Sequence, residues 1–284
     1  MHDTITVGID GSAESLNAAT WAAREARRRG LRLQLVHVDN TPHAPTGLPE
    51  LDAPAERESD SLNRAVRALT YGNPGLDITC ATLTGPPAPA LVNAARESAA
   101  LAVGSRGRTA LEGLLVGSVA LAVTATAPCP VILVRPQRER PPVARSSRGV
   151  TAEPVVAGVD VDHSCDEILA QAFAAAALRE APLIVVHAWS VPLLADSSSG
   201  LPEPETAKRR HLEAVVGPWR DKYPDTPVTQ RLVHGTAGHV LHRTTADARL
   251  LVVGRRAGRS QRLGATLHSV VHHVVCPVVV VPHV

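Results

Sequence analysis

The run L-A-V-G-S-R-G-R-T-A-L-E-G-L-L-V-G-S, from Leu101 to Ser118, changes character twice. It starts as an apolar strand over Leu101 to Val103, halts at Gly104, passes a loop holding Gly107, and at Gly117-Ser118 opens a helical pattern. Strand, glycine loop and helix in that order make a cradle for an anion. Gly104 and Gly107 are expected to take positive φ and bring the backbone close to a ligand. The N–H groups that begin the next helix lack intrahelical partners and point at whatever lodges there, and Ser118 adds a hydroxyl. Glycines that serve only tight turns are the plainer alternative, which this stretch alone leaves open.

The same design occurs twice in the chain. I-T-V-G-I-D at Ile5 to Asp10 returns as V-V-A-G-V-D at Val155 to Asp160, and Leu35-Val36-His37-Val38 returns as Val185-Val186-His187-Ala188, each displaced by 150 residues. Gly85 and Gly104 match Gly235 and Gly254 at that displacement, whereas Cys129-Pro130-Val131 matches Cys276-Pro277-Val278 at 147. Three residues are therefore missing from the second copy, between Gly254 and Gly264, the counterpart of Gly117. The internal repeat predicts a domain over residues 1–136, a linker at 137–153 rich in Pro, Ser and Arg, and a second domain over 154–284.

Each copy alternates strands and helices. In the first, Ile5 to Ile9 is a β-branched run ending at Asp10-Gly11-Ser12, where Ser12 or Ser15 can cap a helix. Leu16, Ala19, Thr20, Ala23 and Ala26 then fall on one helical face until Gly30 stops it. Leu33 to Val38 reads as a second strand, residues 56–69 as a helix after a proline-rich stretch, Ile78 to Leu83 as a third strand, and Pro89 to Ala99 as a helix. Leu101 to Val103, a helix from Ser118 to Thr126 and a strand from Val131 to Val134 complete the unit. Strands separated by helices imply right-handed crossovers and a parallel sheet covered on both faces. Ligands of such sheets lie beyond the carboxyl ends of the strands, where Asp10, Val38 and Gly104 all stand.

Composition narrows the function. The 284 residues include one Phe, two Tyr and three Trp and carry a net charge of +2, so the aromatic platforms of single-strand nucleic acid binders are not available and nucleic acid is not indicated as a partner. Met1 to Val7 lacks the layout of a signal peptide and no apolar run approaches the ~20 residues of a membrane span, from which a cytoplasmic protein with no membrane partner is expected. Cys80, Cys129, Cys165 and Cys276 form no C-x-x-C pair and are expected to be buried reduced thiols. His239 with His242, and His268 with His272, have metal-compatible spacings, yet no Cys or carboxylate joins them at fixed spacing and a helix surface is the expectation. His37 and His187 fall inside the second strand of each copy, as hydrogen-bonded core or pocket-edge residues.

Taken together, V-G-I-D-G-S at Val7 to Ser12, L-V-H-V at Leu35 to Val38, Gly85, G-S-R-G at Gly104 to Gly107, G-S-V at Gly117 to Val119 and C-P-V at Cys129 to Val131 resemble the universal stress protein family, in a tandem two-domain form. The resemblance implies an α/β fold of two tandem Rossmann-like, adenine nucleotide alpha hydrolase-like domains, each an open five-stranded parallel sheet with helices on both faces. It implies ATP or another adenine nucleotide as ligand, with Mg2+ as an accompanying ion. Asp10, with Gly11 and Ser12, would meet the adenosine, and the backbone at Val38 the adenine. Gly104, Ser105, Arg106, Gly107, Gly117, Ser118 and Val119 would carry ribose and phosphates. A carboxylate accepts from ribose hydroxyls and repels phosphate, which independently puts Asp10 on the adenosine side; a simple helix N-cap is its alternative role. Family members pair through the edge of the last strand. Val131 to Val134 and Val278 to Val281 are accordingly expected to join the halves as an intramolecular pseudo-dimer, and edge strands to be the route to a homodimer.

The second copy departs from the pattern. Ala257 stands where Gly107 would be, Ala265 follows Gly264 where Ser is expected, and Arg255, Arg256, Arg259 and Arg262 crowd a shortened loop. One nucleotide per chain, in the first copy, is the expectation, with the arginines either a solvated surface or a side-chain anion grip. No Walker Lys-Ser/Thr follows the glycines, and no kinase-like carboxylate set or Ser-His-Asp order is present, so no catalytic residue is assigned. The reading is a nucleotide-dependent regulatory or binding module in stress response. Slow ATP hydrolysis or nucleotidyl transfer in the same pocket, and a structural pseudo-dimer without ligand, are the alternatives.

Overall fold

The computed structural model describes residues 3–40, 62–63, 65–105, 116–135, 153–190, 204–256 and 263–283. The chain divides into two units, Met1–Pro136 and Gln137–Val284. Unit 1 runs β1 (Thr4–Ile9), α1 (Ala13–Arg29), β2 (Arg32–Asp39), α2 (65–72), β3 (Ile78–Thr84), α3 (Pro87–Ala94), β4 (Ala100–Gly104), α4 (Ser118–Thr126) and β5 (Val131–Val134). Its strands lie in the order β3-β2-β1-β4-β5, all parallel. The order turns back between β1 and β4. Right-handed crossovers therefore put α1 and α2 on one face and α3 and α4 on the other.

Helix α1 shows how local chemistry sets the frame. Ser12, at φ −71° and ψ 156°, accepts the Ser15 N–H on its side chain and starts the helix; Gly30, at φ +65°, stops it by donating to the Ala26 and Arg27 carbonyls. The buried face is Ser15, Ala18, Ala19, Ala22, Ala23 and Ala26, with Glu25 buried at its margin and paired to Arg29, and is rotated from the expected one. Thr20 is exposed and donates to the Leu16 carbonyl. The reason lies in β4. A Cβ on Gly104 would come within 2.8 Å of the Glu14 carbonyl and 3.0 Å of the Ser15 nitrogen, so helix and strand approach too closely for anything larger than Ser or Ala between them. Helix α3 is also shorter than expected: Pro87 occupies its first turn, and beyond Ala94 the chain turns so that buried Ser98 can meet Thr6, hydroxyl to hydroxyl, at 2.7 Å.

Unit 2 repeats the plan with β6 (Val155–Val159), α5 (Asp166–Ala177), β7 (Leu183–Trp189), α6 (Pro204–Lys222), β8 (Val228–His234), α7 (Ala237–Thr244), β9 (Leu250–Arg256), α8 (Ala265–His273) and β10 (Val278–His283). Its strand order, β8-β7-β6-β9-β10, is that of unit 1. In both units the central strands are almost wholly Val, Leu, Ile and Ala at a few per cent exposure or less, and Phe173 of α5 is the largest fully buried side chain among the described residues. Phe173 stacks on Trp219 of α6 at 6.1 Å between ring centroids and meets Tyr223, just after α6, at a tilt and 5.5 Å. Cys129, Cys165 and Cys276 are buried thiols, but Cys80 is exposed. It lies on edge strand β3, one side of which faces water. The residue 41–61 and 136–152 stretches, which hold the proline-rich segment and most of the expected linker, lie outside the described residues.

Candidate functional site

The first site is assembled where the strand order of unit 1 reverses. Ile9 lies beside His37 and Val7 beside Ala102, so β1, β2 and β4 end at a common level, and Asp10, Val38 and Gly104 share that edge. Such a crevice at a switch point is where open α/β sheets take ligands. Gly11 takes φ +79°, the left-handed turn that a β-branched or bulky residue resists, and so folds Ser12 back over Asp10. The Asp10 Oδ1 accepts both the Ser12 N–H at 3.0 Å and the Ser12 hydroxyl at 2.6 Å. Ser12, not Asp10, is the helix cap. Asp10 is thus a half-buried carboxylate held in place by its neighbour.

Gly104 differs from expectation: it is not among the left-handed glycines. Gly117 opens α4 as expected, at φ −76°. Gly104 lacks a side chain because α1 packs on it, as above. The Gly117 N–H donates to the Ser105 carbonyl at 2.8 Å, while the Ser105 N–H donates to Val134. Buried Ser105 and Gly117 therefore pin the two ends of the loop between them. Helix α4 begins at Ser118 with Gly117 as its N-cap, and no side chain among the described residues caps it. Its first-turn N–H groups, at Ser118 and Val119, open at the crevice end with a partial positive charge. Arg106 and Gly107 lie outside the described residues.

Unit 2 holds the matching crevice, of about 710 Å³, within the range of roughly 300–1,000 Å³ usual for small-ligand sites. Asp160, His187, Gly254, Gly264 and Ala265 line it where unit 1 has Asp10, His37, Gly104, Gly117 and Ser118, and Lys208, Arg255 and Arg256 add positive charge. Arg259, Arg262 and Ala257 lie outside the described residues. The α5 entry is built differently: Val161 replaces Gly11, the His163 N–H donates to the Asp160 carbonyl, and the His163 Nδ1 meets the Asp160 carboxylate at 2.8 Å. Lys208 donates to both oxygens of Asp162 at 3.0 and 2.7 Å, which holds that carboxyl below the usual range. Burial, with Asp166, Asp160 and Glu167 nearby, pushes the Cys165 thiol up to about 11.

His37 and His187 are hydrogen-bonded, as expected of core or pocket-edge residues, and His187 lines the unit 2 crevice. Each ring Nδ1 meets the last carbonyl of the neighbouring strand, Ile9 at 2.9 Å and Val159 at 3.0 Å. On α7 and α8, the His268 and His272 rings meet at a tilt with centroids 4.4 Å apart, and His242 meets the His273 carbonyl. The conjunction of Asp160, Asp162 and His187 was not anticipated. Its signal was present in the repeat, where Asp162 stands opposite Ser12.

A family model for the universal stress protein family matches residues 1–135 and again 151–282. The chain belongs to the universal stress protein family. Universal stress protein Rv2005c of Mycobacterium tuberculosis is 31% identical, over 97% of this chain and 96% of its own length, so the tandem arrangement is common to both. Universal stress protein Rv1996 of the same organism is 29% identical, over 97% of this chain and 94% of its own. A universal stress protein from Archaeoglobus fulgidus has the same fold, with a TM-score of 0.70 at 19% identity and 99% coverage of each chain. Among the described residues, no helix of this universal stress protein is long and apolar enough to cross a membrane.

Proposed function

We propose that this universal stress protein binds an adenine nucleotide, ATP with Mg2+ on its phosphates, in the unit 1 crevice, and acts as a nucleotide-dependent regulatory or binding module in stress response. The observation that carries the reading is the uncapped start of α4 at the switch-point edge, across from the buttressed carboxylate of Asp10. One end of the crevice favours negative charge and the other repels it, and a nucleotide is a ligand with that polarity. In this reading Asp10 accepts from the ribose, the Val38 backbone faces adenine, and the Ser118 and Val119 N–H groups with the Ser118 hydroxyl hold phosphate. Gly117 contributes by having no side chain to cap them, and its own N–H stays on Ser105. The four cysteines are thiols, which suits a reducing cytoplasm.

Calorimetric titration of the full chain with ATP tests this, with one nucleotide per chain as the expected count. Gly117→Asp supplies the missing cap and puts a carboxylate where phosphate would lie. It is expected to change stability by only a few tenths of a kcal/mol while abolishing binding. Failure to bind ATP, two equal sites, or a site indifferent to Gly117→Asp would overturn the assignment. Absence of product over the same titration separates binding from hydrolysis.

A further inference from the structure

We propose that unit 2 binds a divalent transition-metal ion between Asp160, Asp162 and His187. The proposal is independent of the nucleotide reading and concerns the other half of the chain. One donor atom from each of the three residues lies within 4.8 Å of the other two. The fold brings them together: Asp160 follows β6, Asp162 lies two residues on, and His187 stands on β7 in register with Val159.

His187 points to a ligand that the carboxylates alone would not. The residue is 3% exposed and lines the crevice. A carbonyl oxygen can only accept, so the 3.0 Å contact with Val159 puts the ring proton on Nδ1. Nε2 then keeps its lone pair, buried and with no hydrogen-bond partner. Buried polar atoms are ordinarily satisfied, and a histidine fixed through its other nitrogen by a backbone carbonyl is the arrangement that orients metal ligands. Two carboxylates and one imidazole match a 2+ charge, and the mixed nitrogen and oxygen donors suit zinc, cobalt, nickel or manganese better than calcium. Three protein donors leave coordination positions open toward the crevice.

The cationic side chains around the cluster compete for the same carboxylates. Lys208 reaches both oxygens of Asp162, and His163 reaches Asp160; a metal would displace them. Unit 1 carries the internal contrast, since Ser12 stands in the place of Asp162 and its hydroxyl donates to Asp10.

Titrating the full chain with Zn(II) alone by calorimetry, and with Co(II) by visible absorption, tests the site. One saturable site is expected. Asp162→Ser, which installs the unit 1 residue at an exposed position, should weaken it by more than the roughly 10–100-fold that loss of an outer-sphere partner costs. Lys208→Gln should tighten it by up to about fivefold, the worth of an exposed ion pair. His187→Gln should abolish it, with melting followed to verify folding, while His239→Ala and His268→Ala should leave it intact. No saturable uptake, uptake that survives Asp162→Ser, or uptake lost with His239→Ala or His268→Ala overturns the proposal.

Discussion

Asp10 and Ser12 are two residues apart and do different work. Ser12 caps α1, and Asp10 receives two donors from Ser12. The sequence offered both as caps, because Asp and Ser are equally favoured there; only the left-handed Gly11 between them decides that the helix starts at the second. Their substitutions should separate accordingly. Ser12→Ala is expected to cost about 1 kcal/mol of stability as a lost cap, seen as a lower urea midpoint. Asp10→Ala keeps the cap and is expected to weaken ATP by about tenfold to a hundredfold, the worth of a hydrogen bond to a charged group. Normal ATP affinity in a destabilised Asp10→Ala protein would reduce Asp10 to a structural role. The Asp162 and His187 pair escaped the sequence for a different reason: they are 25 residues apart and meet only through the β6–β7 register.

The elements were largely legible, with α4 and β5 beginning and ending where the pattern put them. What misled was a glycine with two explanations. Before a loop, Gly104 reads as a ligand-approach residue, yet its missing Cβ is needed by the α1 backbone 2.8 Å away. Gly254 is crowded in unit 2 by side chains rather than backbone, a Cβ there lying 2.5 Å from the Ile168 Cδ1 of α5. The face of α1 was misread because alanines fell on both candidate stripes, and size rather than hydropathy chose between them. Gly104→Ala is therefore expected to behave as an overpacked core, costing about 1–3 kcal/mol, with its urea midpoint lowered and Ser12 and Asp10 shifted along with α1. If the Gly104→Ala protein unfolds at the wild-type midpoint, the close packing described here is wrong.

At the scale of the molecule, the two units share one strand order and differ in the side chains at their crevices, Ser12 in one standing where the other has Asp162. Unit 2 also carries a buried titratable thiol. Cys165 is 2% exposed, and its folded-state value of about 11 lies above the ordinary 9.0. Unfolded chains lose that proton first, so stability should decline from about pH 9 and level off above about pH 11, by at most about 3 kcal/mol in all. Cys165→Ala should flatten this alkaline limb in denaturant melts; an unchanged slope would assign it elsewhere. The legible part at this scale was the duplication itself, with its three-residue gap. In unit 1 the Gly117 N–H closes the loop ends onto the Ser105 carbonyl, and the second copy spans the same place with a shorter loop. Eleven residues separate Ser105 from Gly117, and eight separate Arg255 from Gly264. Closing the longer loop costs only about 0.3 kcal/mol more in chain entropy. At so small a cost, loop length is exchangeable between the copies. Transplanting residues 106–116 into the second copy is a graft the scaffold can accept, and the two halves can diverge in what they recognise while keeping one architecture.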